Sequence, residues 1–270
     1  MKSMKKNGFS LVEIAVVLVI LSVLIAIVAV PLATQLDQQR TVDTTKQLET
    51  IKEAIIGFAL AKGRLPCASR LADKGNEVVD EATGVCGAYN GYLPAVTLGI
   101  SPIDSDGFAV DAWGLTQNRI RYAVMDIPTT AVSPAFAECP ATAVTHVLTK
   151  RDGIKLATMS CISRYSETVA PNRTLITVCP QTPGGAQPYC AGSMLTNTAP
   201  FVVISLGKNA PTVGLGADEA YNAGSAGGGV VFVSHTAAAA GAVGGEFDDI
   251  VTWASLNTLF ARMVQAGKLP

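Results

Sequence analysis

The stretch Lys5-Lys6-Asn7-Gly8-Phe9-Ser10-Leu11-Val12-Glu13 opens into IAVVLVILSVLIAIVAVPLA, residues 14–33. The run from Ile14 to Ala33 carries no charge. As a helix at about 1.5 Å per residue it would span about 30 Å, the thickness of a bilayer's hydrocarbon core. A basic start before an apolar run fits a secretory signal peptide, but the apolar part of such a peptide is only about 7–15 residues long. Val30-Pro31-Leu32 is also no small-residue cleavage site. The run therefore reads as a retained anchor, with Lys2, Lys5 and Lys6 holding the N-terminus on the cytoplasmic side. Glu13 is the anomaly. An acid at the centre of a span costs about 2.5–3.5 kcal/mol, less at its edge, and a plain anchor has no use for it.

Helical periodicity resumes beyond the run. Leu48, Ile51, Ile55 and Phe58 follow a 3–4–3 spacing, with Ile56 and Ala59 beside them, and Asp43, Lys46, Glu49, Lys52 and Glu53 form the polar face. Gly63 and Pro66 end the pattern. Pro31 removes a backbone donor and crowds the carbonyl of Ile27, so a kink is expected there within one helix from about Phe9 to Lys62.

The whole chain has 270 residues, of which 49% are hydrophobic, yet only one segment reaches spanning length. Beyond the leader lysines, 17 basic face 21 acidic side chains, a balance that disfavours nucleic acid as a partner. Cys67, Cys86, Cys139, Cys161, Cys179 and Cys190 all follow the apolar run. An even count in a translocated region indicates disulfides. Six cysteines allow fifteen pairings; the sequential one (67–86, 139–161, 179–190) closes the shortest local loops. There is no CxxC, and neither His146 nor His235 sits near a cysteine pair of zinc-site spacing.

Lys5 to Glu13 resembles the signal of type IV prepilins and pseudopilins: a short basic leader ending in glycine, an aromatic first residue of the mature chain, and glutamate as its fifth. The resemblance implies a leader of residues 1–8, cleavage between Gly8 and Phe9 by a prepilin peptidase, and N-methylation of Phe9. It implies that residues 9–35 serve as transmembrane segment and then as filament core, that 36–63 form the amphipathic half of the helix, and that 64–270 form a globular β-rich domain. In a filament of such subunits Glu13 would meet the Phe9 amine of a neighbour. The implied fold is α+β: a long N-terminal helix packed on an antiparallel sheet, with a short C-terminal helix and disulfides. The implied function is that of a structural subunit, not an enzyme, in a type IV pilus or type II secretion pseudopilus. Its partners would be other pilin or pseudopilin subunits, the prepilin peptidase and the inner-membrane assembly platform. The chain would sit in a bacterial inner membrane as a single pass, globular domain in the periplasm, before entering the filament. It is large for a body-forming subunit, which favours a minor pilin. An adhesin or DNA-uptake pilin is the alternative.

In the globular part, Asp111-Ala112-Trp113-Gly114 followed by Tyr122 is similar to a passage of pseudopilin-like proteins, and Phe247–Pro270 to the tail of large cysteine-bearing ones. Physically, Trp113 reads as an apolar anchor and Asp111 as an acceptor for turn amides. Arg119–Val124, Ile154–Ile162, Thr174–Cys179, Phe201–Leu206, Val230–Ser234 and Asp248–Trp253 read as strands in mainly antiparallel pairing. Ser255 is placed to cap a last helix that buries Leu256, Leu259, Phe260 and Met263 and ends at Gly267. Asp104-Ser105-Asp106-Gly107 lacks the spacing of a calcium loop, although some pseudopilins bind calcium. Asp104, Asp106 and Asp111 are the candidates for such a site, and no other cofactor is expected. No phosphate loop or nucleophile elbow is present.

Overall fold

The computed structural model describes residues 10–114, 116–125, 146–156, 176–183, 190, 193–210, 216–224 and 230–269, without the side chains of 26–33. The longest element is α1, Leu11–Lys62. Helical residues continue on both sides of Pro31, so the helix does not end there. The chain divides into two compact units, one up to Asp43 and one from Thr44 onward.

In the first unit every side chain from Ser10 to Ile25 is exposed. Leu11 is 87% exposed, and Val16, Leu18 and Ile25 are each more than half exposed. No helix among the described residues is long and apolar enough to cross a membrane; the run read as a span includes 26–33, whose side chains lie outside that set.

In the second unit the 3–4 spacing becomes burial. Leu48, Ile51, Ile55, Ile56 and Ala59 are almost wholly buried in one core. Gly63 stops the helix in the left-handed region, φ 69°, and donates to the Ala59 carbonyl. Immediately after it, the buried Arg64 bonds Glu77 through two nitrogens (2.9 and 2.8 Å) and Glu81 through one (2.8 Å). Glu77 also accepts from the Cys67 amide. With the Cys67–Cys86 disulfide, this network ties the helix end to the following loop.

Among the described residues seven strands form two sheets: β1 Asn90–Tyr92, β2 Arg121–Val124, β3 Ile176–Cys179, β4 Thr196–Ala199, β5 Phe201–Ser205, β6 Val231–Val233 and β7 Ile250–Trp253. The first sheet has the order β1-β2-β5-β7 and is antiparallel throughout. The second has the order β4-β3-β6, and there β3 pairs with β6 in parallel. The pairing among the described strands is thus mainly antiparallel, as expected, with β3–β6 the parallel pair. Short helices follow at α2 Ala95–Leu98, α3 Gly153–Leu156 and α4 Ala217–Asn222. The expected strand at Ile154–Ile162 begins instead as α3, with Ile154 fully buried and its amide on the Gly63 carbonyl; 157–162 lie outside the described residues. The last helix, α5 Leu256–Gln265, matches its expectation closely. The Ser255 hydroxyl accepts from the Thr258 amide, and Leu256, Leu259, Phe260 and Met263 are buried.

Two disulfides of the sequential set are present, Cys67–Cys86 and Cys179–Cys190. Cys139 and Cys161 lie outside the described residues. Ile55 is fully buried on the helix face that joins the core. Ile55→Ala is expected to destabilise the second unit by about 2–5 kcal/mol, read as a drop in the thermal or urea midpoint.

Candidate functional site

The N-terminal motif enters the described residues at Ser10, and Gly8 and Phe9 lie outside them. The helix begins with a reciprocal pair of bonds. The Glu13 amide donates to the Ser10 hydroxyl at 3.2 Å, and the Ser10 amide donates to Glu13 Oε2 at 3.1 Å. This is a capping box: Ser10 is the N-cap, Glu13 is the third helical residue, and two otherwise orphaned donors are satisfied. The acid also faces the positive end of the helix dipole. Glu13 therefore has a local partner within its own chain. The S-x-x-E signal is visible in the sequence, and the reading above missed Ser10.

The three calcium candidates are not brought together. Asp104 Oδ1 accepts from the Asp106 and Phe108 amides, 3.0 and 2.9 Å. Asp104 Oδ2 and Asp106 Oδ2 each take a 2.6 Å bond from Arg119. The guanidinium, itself lying over the Phe108 ring, is the cation between those two acids. Burial opposes ionisation of Asp104, yet the Phe108 amide and Arg119 hold its carboxyl below the usual range. Asp111 does serve a turn amide, as expected, accepting from Trp113 N at 2.9 Å. Its other oxygen takes the Ser205 hydroxyl at 2.6 Å and the Asn118 amide group at 3.2 Å. Burial pushes the Asp111 carboxyl up against these bonds. It links the turn before β2 to the end of β5 and serves the fold.

A second acidic group was not foreseen. Oxygens of Glu219 on α4 and of Asp248 and Asp249 before β7 lie within 4.8 Å of one another. Asn209 donates to both oxygens of Glu219, 2.9 and 3.0 Å, and the Asp248 amide donates to one of them at 3.0 Å. Asp248 Oδ2 accepts from the Lys208 and Asn209 amides, while its buried Oδ1 has no hydrogen-bond partner among the described residues. Asn222 donates to Asp249 at 2.8 Å. Burial first, then the charge of Glu219, raises the Asp248 carboxyl to about 6. Burial likewise holds Asp249 well above the carboxylate range. Only Asp248 and Asp249, adjacent in sequence, hinted at this group; Glu219 reaches it through tertiary folding.

Against known proteins, residues 3–29 match the prokaryotic N-terminal methylation motif. The chain carries a type IV prepilin signal. The match covers the leader from Ser3, with Lys5 and Lys6, then Gly8, Phe9, the Ser10–Glu13 capping box and the exposed apolar residues up to Ile25. It supports a prepilin-processed subunit of the type IV pilin kind. No curated protein and no solved structure matches the chain.

The raised Asp248 carboxyl has a stability consequence of definite sign. Its folded-state value, about 6, lies above the ordinary aspartate value of 3.8. Folded protein therefore holds that proton more tightly than unfolded protein, and the stability it supplies is lost as pH rises from about 4 to about 6. Asp248→Asn can still accept from the Lys208 and Asn209 amides and has no charge to desolvate. Allowing for partial exposure, it is expected to gain about 1–2 kcal/mol at pH 7–8 and little at pH 4. Thermal midpoints of the two proteins across pH 4–8 check this.

Proposed function

We propose that this chain is a minor pilin or pseudopilin, a structural subunit of a type IV pilus or a type II secretion pseudopilus. The observation that carries the reading is the combination at one helix end of the prepilin signal with an apolar surface that no described residue covers. A helix apolar on all sides is not stable against water. It must be covered by lipid or by other subunits. The assignment supplies both in turn: the inner membrane before assembly, and neighbouring subunits afterwards.

In this reading a prepilin peptidase cuts between Gly8 and Phe9 and N-methylates Phe9. The apolar run first holds the subunit in the membrane as a single pass, N-terminus cytoplasmic, and the assembly platform then draws it into the filament. Cys67–Cys86 and Cys179–Cys190 suit a domain exported to an oxidising compartment. In the lipid-free filament core an unpaired Glu13 carboxylate would be costly, and the Phe9 ammonium of a neighbour offsets that cost. The pair favours one axial register.

The capping box gives Glu13 a second role, and two variants separate them. Glu13→Gln keeps an acceptor for the Ser10 amide and loses the charge; Glu13→Ala loses both. Both variants are expected to insert normally into the membrane and to enter filaments about tenfold less well, equivalent to about 1.4 kcal/mol, by quantitative blotting of sheared filaments. Wild-type incorporation of Glu13→Gln beside a defective Glu13→Ala would make the acid a helix cap only. Normal incorporation of both would remove Glu13 from assembly.

A further inference from the structure

His235 follows β6, and Ala238 and Phe247 close a hairpin beyond it by exchanging backbone bonds of 2.9 and 3.0 Å. The imidazole stacks on the Phe247 ring, centroids 3.9 Å apart. Its Nδ1 lies 2.7 Å from the Thr236 carbonyl oxygen, and its Nε2 lies 3.1 Å from Asp218 Oδ2. A carbonyl and an ionised carboxylate only accept, so each ring nitrogen must donate. A neutral imidazole has one N–H; the imidazolium has two. Against an ionised Asp218, both contacts are hydrogen bonds at once only when the ring carries two protons.

Asp218, at the start of α4, is buried and is fixed from its other side. Its Oδ1 accepts from the Thr182 amide at 2.6 Å and from the Thr182 hydroxyl. The hairpin seats against the same place. Gly244 and Gly245 take φ 99° and 96°, and a Cβ on Gly244 would stand 2.4 Å from Asp218 Oδ2. A Cβ on Gly216, the N-cap of α4, would stand 2.7 Å from the Gly244 carbonyl oxygen. The hairpin thus docks backbone to backbone, and His235 is the side chain that joins it to Asp218. Among the described residues, the other charged groups on these elements are Glu219 on α4, Glu246, Asp248 and Asp249 on the returning chain, and Lys208 after β5, whose amide bonds Asp248.

We propose that His235 and Asp218 form a proton-operated clamp: the hairpin is docked on α4 while the ring carries two protons, and it is released when one is lost. The proton leaves to solvent, and the neutral ring can satisfy only one of its two acceptors. Histidine is the side chain that ordinarily changes charge between about pH 5 and 8. The clamp governs how the hairpin tip, Ala239 to Val243, all exposed, is presented.

The test uses ¹⁵N-labelled full-length protein in detergent. Ring nitrogen shifts report the protonation of His235, and amide hydrogen exchange at Ala238 and Phe247, corrected for intrinsic rates, reports docking. Both nitrogens are expected to carry protons when the amides are protected, and protection is expected to fall at least about tenfold in step with loss of one proton. His235→Gln should show low protection that no longer varies with pH, with the Val203 amide in β5 unchanged. Asp248→Asn, which removes the neighbouring carboxyl that also titrates, should retain the response. Protection that does not follow the ring, a singly protonated ring in the docked hairpin, or an undiminished response in His235→Gln would overturn the proposal. If His235→Gln also loses protection at Val203, the wild-type correlation alone decides.

Discussion

Burial of one face of α1 is the constraint on which the globular unit depends. From Leu48 to Ala59 the apolar positions recur at helical spacing and disappear into a core shared with Tyr122, Phe201, Val203 and Phe232. The helix then stops at Gly63, and the next residue is already committed. Arg64 is buried, and its charge is met by Glu77 and Glu81. Truncating such a pair on one side would leave a buried charge without compensation, which costs far more than the pair itself contributes. The Cys67–Cys86 loop is thereby fixed to the helix end by a disulfide, an ion pair and the bond from the Cys67 amide to Glu77.

The same helix has apolar side chains at its other end that no described residue buries. The contrast between Leu48, 1% exposed, and Leu11, 87% exposed, separates a face that folds this chain from a surface that needs another environment. Ser10 and Glu13 close the helix at that end by satisfying each other. A carboxylate held by its own backbone is already ordered and already placed at the start of the helix, which would reduce the ordering required in the proposed pairing with a neighbour's amine.

Where sequence reading succeeded, a single local pattern decided the element. The amphipathic half of α1, the strand at Arg121–Val124 and the Ser255-capped helix α5 each follow from periodicity and capping chemistry. Where it failed, the deciding contact was remote. β1 contains Asn90 and Gly91, poor strand formers, and becomes a strand by pairing with β2. β4 is Thr-Asn-Thr-Ala, polar enough to read as loop, and is ordered by β3. Ile154 heads a short apolar stretch that fits helix or strand equally, and its bond to the Gly63 carbonyl accompanies the helical turn. The parallel β3–β6 pairing leaves no mark in either strand. Among site residues, Glu13 was legible because its oddity is local. The approach of Glu219 to Asp248, and of His235 to Asp218, joins segments 29 and 17 residues apart and was not.

The proposed function requires one covalent event, removal of the leader with retention of the apolar helix. Intact-mass and N-terminal peptide mass spectrometry of the protein from its native cell tests it most directly. A mature chain beginning at Phe9, with a methyl group on its amine, is the expected result. A chain that still begins at Met1, or one that begins well beyond Phe9 with the apolar run removed, would contradict it.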